Sequence, residues 1–211
     1  MRMRRKKNLE PRLERQSGIT IADPESMRGT WRSLCPEAER VCLELGCGKG
    51  QFITELARRN PGNFYIAVER EKGAVVMAME KVANAQLENV RFIVGDVQGI
   101  ESWFGPDEID ALYINFCDPW TKRHREKRRL THRDFIARYR AIVKKGGKLY
   151  FKTDNVELFE FSVLELPEAG MKLNFVTRDL HSEEIDNIMT EYESRFTAQG
   201  MTINYLEAEF V

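Results

Sequence analysis

From Arg40 onward, short apolar runs alternate with longer segments of helical periodicity. The apolar runs are rich in β-branched and aromatic residues, as strands are, and they read RVCLELG, NFYIAVE, VRFIVGD, IDALYINF and GKLYFKT. Between them, apolar residues recur at helical spacing in GQFITELARRN, EKGAVVMAMEKVANAQ and HRDFIARYRAIVKK, the last of which ends at a Gly-Gly stop. This alternation predicts successive βα units and a parallel sheet.

The rest of the chain adds further elements. Its pattern predicts a helix over about 156–166, a strand in KLNFVTRDL, a short helix near TEYESRFTAQG and a closing strand in TINYLEAEF. The predicted fold class is therefore α/β, with a doubly wound, mostly parallel, seven-stranded sheet. Residues 1–38 lack a sustained period and are expected to form a flexible basic arm, so the sheet domain is predicted to span 39–211.

The composition is typical of a soluble protein with one domain. The 211 residues are 42% hydrophobic and 31% charged, with a mean hydropathy of −0.48. Such a chain can bury a sizeable core, but no apolar run approaches the roughly 18 residues of a membrane span. The N-terminal cations precede a polar segment instead of the apolar centre of a signal peptide. We expect a cytoplasmic protein without a membrane partner.

The spacing of cysteines and histidines argues against disulfides and metals. The four cysteines form neither a CxxC pair nor a disulfide-like framework, which indicates reduced thiols. The three histidines lack metal-ligand spacing, so no metal site is predicted.

The formal net charge is zero, but the charges are unevenly distributed. Arg2 to Lys7 and Lys122 to Arg129 are strongly cationic, whereas acidic residues dominate after Asn155. A protein without net charge can bind a nucleic acid when its cations share one face. The alternative for residues 122–129 is a solvated, charged helix face, which is the usual fate of a charge run.

The first predicted strand ends in ELGCGKG, which places Gly46, Gly48 and Gly50 in a turn before a helix. This GxGxG spacing differs from the GxGxxG of dinucleotide sites, and a tight turn without a ligand is the alternative.

Four consecutive strands end in a carboxylate, and these acids are Glu44, Glu69, Asp96 and Asp118. Each alone could be a solvated acid or a helix cap, but the carboxyl ends of parallel strands meet at the ligand-binding edge of such a sheet. There, Glu69 could accept hydrogen bonds from a ribose diol, and Asp96 from an adenine amino group. Glu44, beside the glycines, suits a cationic ammonium or sulfonium better than a phosphate.

This pattern resembles the class I S-adenosylmethionine-dependent methyltransferases over about residues 40–153. The resemblance implies a Rossmann-like fold with S-adenosylmethionine as cofactor. It implies that Glu44, Glu69 and Asp96 contact the methionine amine, the ribose and the adenine, respectively. The residues that it assigns to the cofactor site are Glu44, Gly46, Gly48, Gly50, Glu69, Asp96 and Asp118.

The fourth strand leads into Asp118-Pro119-Trp120 and then into the cations of TKRHREKRR. An acid, a rigid turn and a ring suit the edge and face of a base, although a structural Asp-Pro turn with Trp120 in the core is the alternative. A base near Asp118 would have its phosphates within reach of nearby cations. These cations are Lys122, Arg123, Arg125, Lys127, Arg128 and Arg129.

Together with YFKTDN and TEYESRF, the stretch DPWTKRHREKRRL looks like the bacterial tRNA (guanine-N7)-methyltransferases, over nearly the whole chain. This resemblance implies methyl transfer from S-adenosylmethionine to N7 of a guanine in the tRNA variable loop. Asp118 is the expected catalytic residue. Its carboxylate would accept from the guanine N1 and N2 hydrogens while positive charge develops on the purine.

The family resemblance assigns two further groups of residues. Those implied for the substrate site are Lys122, Asp154, Thr190, Glu191, Tyr192 and Glu193. Those implied to contact RNA are His124, Arg125, Glu126, Lys127, Arg128 and Arg129. Thr190 and Glu193 could equally form a capping box, since they read T-x-x-E before a predicted helix.

Other functions remain open at this point. A methyltransferase of the same fold could act on another RNA or on a protein. A protein of a different class would be a non-catalytic RNA-binding module that retains a nucleotide pocket. With tRNA as the expected partner, we expect a monomer or a homodimer.

Overall fold

Seven strands form one sheet in the computed structural model, which describes residues 8–211. The strands are β1 Val41–Leu45, β2 Phe64–Glu69, β3 Val90–Val94, β4 Ile109–Asn115, β5 Val143–Thr153, β6 Met171–Thr177 and β7 Asn204–Phe210. Their order is β3-β2-β1-β4-β5-β7-β6. The strands β1 to β5 pair in parallel, whereas β7 runs antiparallel to both β5 and β6. The predicted doubly wound, mostly parallel sheet is confirmed.

Helices cover both faces of the sheet. They are α1 Leu9–Glu14, α2 Gln51–Arg59, α3 Lys72–Asn84, α4 Ile100–Trp103, α5 Arg133–Arg140, α6 Val156–Glu168 and α7 Glu191–Thr197. The helices α2 and α3 pack on the face that carries Tyr65 and Ala67, while α4, α5 and α6 pack on the face of Leu43 and Leu45. Both faces of the central strands are apolar because helices cover both. Within residues 8–211, no helix is long and apolar enough to cross a membrane.

Helix α5 is shorter than its sequence pattern predicts. The helical period continues to Lys145, but α5 ends at Arg140 and β5 begins at Val143. Ile109 N donates a hydrogen bond to Ile142 O at 3.0 Å, and Val143 pairs with Ile109. Pairing with β4 therefore outweighs the local helical preference of this stretch. The short helix α4 was not predicted either.

Residues 8–38 pack against the sheet domain, which differs from the expected flexible arm. Trp31 is fully buried and anchors this segment. Its indole Nε1–H donates to Trp103 O at 2.7 Å, and its ring stacks on Phe104 with the centroids 4.8 Å apart. A large apolar ring whose only donor is satisfied holds a segment that has little periodic structure. The cations between Arg2 and Lys7, which belong to the predicted basic arm, lie outside the described residues.

Gly50 allows α2 to approach α3 closely. Its φ is +78°, and a Cβ at this position would lie 2.4 Å from Ala78 Cβ and 2.6 Å from Ala78 Cα. Gly46 has a φ of +79°, but a Cβ there would meet no atom within 4 Å. Both positions need glycine for the backbone conformation, whereas only Gly50 needs it for space as well.

We predict that Gly50→Ala destabilises the protein more than Gly46→Ala. Both substitutions place a side chain in the left-handed region, which costs about 1–2 kcal/mol. Only Gly50→Ala adds a clash with the α3 backbone, which costs about 1–3 kcal/mol more. Urea unfolding followed by circular dichroism measures the difference, and equal losses in the two variants would contradict it.

Candidate active site

The glycine loop, residues 46–50, connects β1 to α2 at the carboxyl edge of the sheet. Gly46 N and Cys47 N both donate to Val68 O, at 2.8 and 3.1 Å, and hold the loop against β2. The parallel strands β1 to β4 end at this edge. The acids predicted to bind a ligand therefore lie near this edge, with Glu44 in β1, Glu69 at the end of β2, and Asp96 and Asp118 after β3 and β4.

Glu69 connects the glycine loop to the start of α3. Its Oε2 accepts a hydrogen bond from Gly48 N at 3.0 Å, and its Oε1 accepts from Glu71 N at 2.8 Å. Each carboxylate oxygen can accept more than one hydrogen bond. Glu69 can therefore fix two backbone segments and still accept from a diol.

Glu44 is a buried acid with an unused acceptor. Its side chain is 1% exposed, and its Oε1 accepts from Asn115 Nδ2 at 3.1 Å, whereas its Oε2 has no partner among the described residues. Burial raises the pKa of Glu44 to about 8, against the opposing effects of Asn115 and Lys152. Burial therefore favours the protonated form of this carboxyl, whereas a cationic group beside the glycine loop would favour its charged form.

Arg70 connects the two remaining acids. Its guanidinium nitrogens lie 3.8 Å from Asp96 Oδ2 and 3.4 Å from Asp118 Oδ2, and all three side chains are more than half exposed. Asp96 also accepts from Gln98 N at 3.0 Å and caps the short 3₁₀ turn after β3, so the interpretation as a helix cap is confirmed for this acid. One guanidinium spans both acids, which brings the turns after β3 and β4 within reach of a single side chain.

Trp120 lies over the basic segment and not in the core. The side chain is half-buried, with a backbone φ of +43°. The guanidinium carbons of Arg125 and Arg128 lie 5.7 and 5.0 Å from its ring centroid. The ring therefore orders two exposed cations through cation–π contacts. The alternative that places Trp120 in the core is wrong, and its stacking on a base stays a prediction.

Arg129 differs from the cations that precede it. It is 2% exposed, its Nε donates to Pro119 O at 2.9 Å, and a terminal nitrogen donates to Glu157 Oε1 at 2.6 Å. Its guanidinium carbon also lies 4.5 Å from the Phe161 ring centroid. Because these donors hold the Asp-Pro turn, we correct the prediction that Arg129 contacts RNA. The exposed residues of the segment are Lys122, Arg123, His124, Arg125, Lys127 and Arg128, with Glu126 half-buried.

A buried ion pair connects β5 to α7. Lys152 Nζ donates to Glu193 Oε2 at 2.9 Å, to Asn187 Oδ1 at 3.0 Å and to Ile188 O at 2.8 Å. Glu193 is fully buried, and its other oxygen lies 2.8 Å from His181 Nε2. Burial favours the neutral form of Glu193, but Lys152 and the hydrogen bonds outweigh it and hold the pKa of Glu193 below its ordinary value.

Thr190 and Glu193 form the capping box of α7, which confirms that interpretation. Thr190 Oγ1 accepts from Glu193 N at 2.9 Å, and Glu193 Oε2 accepts from Thr190 N at 3.3 Å. Both side chains are buried, so in this structure they fix the start of the helix. A direct contact of either residue with a substrate stays a prediction.

The other predicted substrate residues are more accessible. Tyr192 is 56% exposed, and its ring stacks 6.4 Å from that of Phe116, two residues before Asp118. Glu191 pairs with Lys81 of α3. The remaining two are Asp154, half-buried at the end of β5, and the exposed Lys122. The stacking of Tyr192 on Phe116 brings α7 towards the turn that carries Asp118.

Sequence reasoning missed Asn115, Lys152 and Arg70. Asn115 pairs with Lys152 across β4 and β5, and the register places both on the face of Glu44. A polar residue at an inward position of an otherwise apolar strand was the available signal for these two. Nothing in the sequence marks Arg70, because its two partners follow other strands.

The described residues show no metal site of the usual kind. Within residues 8–211, no group of three or more His, Cys, Asp or Glu side chains could hold a metal ion. Cys35, Cys42, Cys47 and Cys117 are free thiols.

The fold is shared with solved methyltransferase structures. A structure described as an antibiotic-related methyltransferase has a TM-score of 0.67 at 19% identity, and covers 90% of this chain and 96% of its own. The 16S rRNA methyltransferase KamB has a TM-score of 0.66 at 17% identity, and covers 85% of this chain and 92% of its own. Identities this low support similarity of fold alone.

Sequence comparisons identify the family. The model of a family described as "Putative methyltransferase" matches residues 38–206. The tRNA (guanine-N(7)-)-methyltransferase of Streptococcus mutans serotype c is 40% identical over 211 residues, and 100% of each chain is covered. The protein of the same name from Lacticaseibacillus casei is 41% identical over 212 residues, covering 100% of this chain and 99% of its own. The chain belongs to the tRNA (guanine-N7)-methyltransferase family.

Proposed function

We propose that this chain transfers a methyl group from S-adenosylmethionine to N7 of a guanine in the tRNA variable loop. Full-length relatives that carry this name support the activity. The observation that carries the proposal is the position of Asp118. Arg70 connects it to Asp96, and exposed cations follow it in the chain. A base at Asp118 therefore lies between a nucleoside-binding edge and a surface that suits phosphates.

The acids at the sheet edge fit S-adenosylmethionine. When bound, this cofactor supplies a methyl group activated by a positively charged sulfur. Glu44, whose buried Oε2 lacks a partner, would hold the methionine ammonium. Glu69 would accept from the ribose hydroxyls and Asp96 from the adenine amino group. Acids beside a glycine loop favour this cation over a phosphate, which prefers a helix start free of negative charge.

Asp118 holds the guanine and stabilises its charge. N7 carries a lone pair and no proton, so no residue is needed to deprotonate it. The Asp118 carboxylate would accept from the N1 and N2 hydrogens and would help to hold N7 in a reactive orientation. The same carboxylate then stabilises the positive charge that develops on the purine.

We assign Lys122, Asp154 and residues 190–193 to the substrate site on the family resemblance. The buried pair of Lys152 with Glu193 fixes the start of α7. Thr190 and Glu193 would then act by positioning this helix, whereas Tyr192 is accessible for direct contact.

We assign the exposed cations of residues 122–128 to tRNA phosphates, with His124 and Glu126 as polar neighbours. Because tRNA is the proposed substrate, we also propose a cytoplasmic location. The expected monomer or homodimer stays a prediction.

Methyl transfer to purified tRNA tests the proposed function. The protein is incubated with radiolabelled S-adenosylmethionine and tRNA, and the digested nucleosides are separated. Label in 7-methylguanosine is the expected result. Label in another nucleoside, or in protein, would assign a different substrate, and tRNA binding without transfer would indicate a non-catalytic module.

We expect Glu44→Gln to remove a pH dependence of stability. The pKa of Glu44 is about 8 in the folded protein, above its ordinary value of 4.5. The stability that its protonation contributes is therefore complete below about pH 4.5 and is lost as the pH rises through about 8. Urea unfolding of the ligand-free protein should show a smaller loss of stability between about pH 6 and 9 in the variant.

The same variant should bind S-adenosylmethionine about ten- to hundredfold more weakly, because a charged acceptor is lost. At about pH 6.5, wild-type protein should release about one proton on binding, since the ammonium favours the charged carboxylate. Calorimetry in buffers of different ionisation enthalpy counts this proton. The exposed acid Glu88, just before β3, provides the control Glu88→Gln. Equal proton release from Glu44→Gln would assign the proton to another group.

We expect Asp118→Ala to lower kcat about 10²–10³-fold, as loss of a group that stabilises the transition state does. The Kd of S-adenosylmethionine should change far less than kcat, because Glu44, Glu69 and Asp96 remain to hold the cofactor, although the resemblance also assigns Asp118 to its site. Single-turnover transfer and equilibrium dialysis measure the two quantities, with Glu88→Ala as control. A parallel loss of cofactor affinity and turnover would refute the assigned role.

We expect tRNA binding to weaken about 500-fold between about 50 and 200 mM salt, as contact of the five exposed cations with about five phosphates predicts. Arg123→Ala with Lys127→Ala should reduce the slope of log Kd against log salt by about two. Lys145→Ala, an exposed lysine in the amino-terminal part of β5, serves as control. Arg129→Ala should instead lower the melting temperature, because its donors hold the Asp-Pro turn. An unchanged slope in the double variant would place the RNA on another surface.

A further inference from the structure

Arg70 lies between the acids assigned to the cofactor and to the guanine. It directly follows Glu69 at the end of β2, and its guanidinium lies 3.4 Å from Asp118 Oδ2 and 3.8 Å from Asp96 Oδ2. Across residues 8–211, no other Lys or Arg nitrogen lies within 4.0 Å of the Asp118 carboxylate. The side chains of Arg70 and Asp118 are 60% and 65% exposed, so both can reach a ligand.

Side by side, an acid and a guanidinium match the hydrogen-bonding edge of guanine. Along this edge O6 accepts, whereas N1 and N2 donate. Asp118 can take the two donors, and Arg70 can donate to O6. A guanidinium has five donors, so Arg70 can bind O6 and keep its contact with Asp118. Adenine carries a donor at N6 and an acceptor at N1, so it would oppose both side chains.

A hydrogen bond to O6 would also restrain the reacting atom. O6 and N7 are neighbours on the purine, and an arginine often binds both when guanine is read. Bonds to N1 and N2 alone hold the base from one side, whereas a third bond at O6 limits its rotation in the plane. The carboxylates of Asp96 and Asp118 offset the charge of Arg70, which reduces its repulsion of a purine that becomes cationic.

We propose that Arg70 is a specificity-determining residue that donates a hydrogen bond to O6 of the target guanine, beside Asp118. This role rests on the proposed function. In this structure, Asp96 and Asp118 hold Arg70 across the edge of the sheet. When an adenine amino group occupies Asp96, Arg70 remains paired with Asp118 and presents its other donors to the base.

Transcripts with one altered base test this role. The target guanosine is replaced by 6-thioguanosine, whose sulfur accepts weakly while N1–H and the N2 amino group remain, or by inosine, which lacks the N2 amino group. We measure kcat/KM for wild-type protein, Arg70→Ala and Arg70→Lys. In wild-type protein, 6-thioguanosine should react about ten- to hundredfold more slowly than guanosine, as loss of a specific base contact predicts. Any intrinsic difference in N7 reactivity is common to all three proteins and cancels in the comparison.

In Arg70→Ala, the ratio of kcat/KM on guanosine to kcat/KM on 6-thioguanosine should fall towards its intrinsic value. The loss of kcat/KM on inosine, which reports on Asp118, should persist. Arg70→Lys should restore part of the ratio, and Arg28→Ala, at another exposed arginine, should keep all of it. An equal loss of kcat/KM on both bases in Arg70→Ala would assign Arg70 to a phosphate or to structure and overturn the proposal. Failure of wild-type protein to form 7-methylguanosine on the unaltered transcript would overturn the proposed function, and this role with it.

Discussion

Parallel pairing of the central strands is the constraint on which the site depends. Parallel neighbours need a crossover connection between them, so each of the strands β1 to β4 delivers the residues that follow it to the same edge of the sheet. Glu69 and Asp118 are far apart along the chain, yet Arg70 follows one of them and pairs with the other. The same registers align side chains across strands, which places Glu44, Asn115 and Lys152 on one face.

The buried acids Glu193 and Glu44 are stabilised in two different ways. Lys152 and Glu193 are both nearly inaccessible, and they pair with each other and with the turn before α7. Removing either partner would leave a buried charge without a counterion, so the pair holds α7 in one place. Glu44 has a single hydrogen bond and one unused oxygen, and burial raises its pKa. The unsatisfied acid lies beside the glycine loop, where the ammonium of S-adenosylmethionine would supply the missing partner.

Tertiary contacts sort the basic segment into residues with different roles. Arg125 and Arg128 are exposed over the ring of Trp120, whereas Arg129 turns inward to Pro119 O and Glu157. These arginines are chemically alike and lie within five residues of one another in sequence. The inward arginine supports the turn that carries the proposed catalytic acid, and the outward ones are available to phosphates. The geometry of guanine binding and the contact with the RNA backbone therefore depend on one short stretch of chain.

The sequence by itself determined which segments form strands, which form most of the helices, and how these elements follow one another along the chain, because apolar periodicity is a local property. It also determined the glycine loop and the acids that follow the strands, since strand ends are marked by a change from apolar to polar residues. Only the tertiary structure decided where α5 ends, how Trp31 anchors residues 8–38, and which partners Arg70 and Arg129 take. These outcomes depend on pairs of residues distant in sequence, such as Ile109 with Val143. The free energy of such contacts outweighs the local preference for helix or strand. Contacts between distant residues also leave no periodic signal in the sequence.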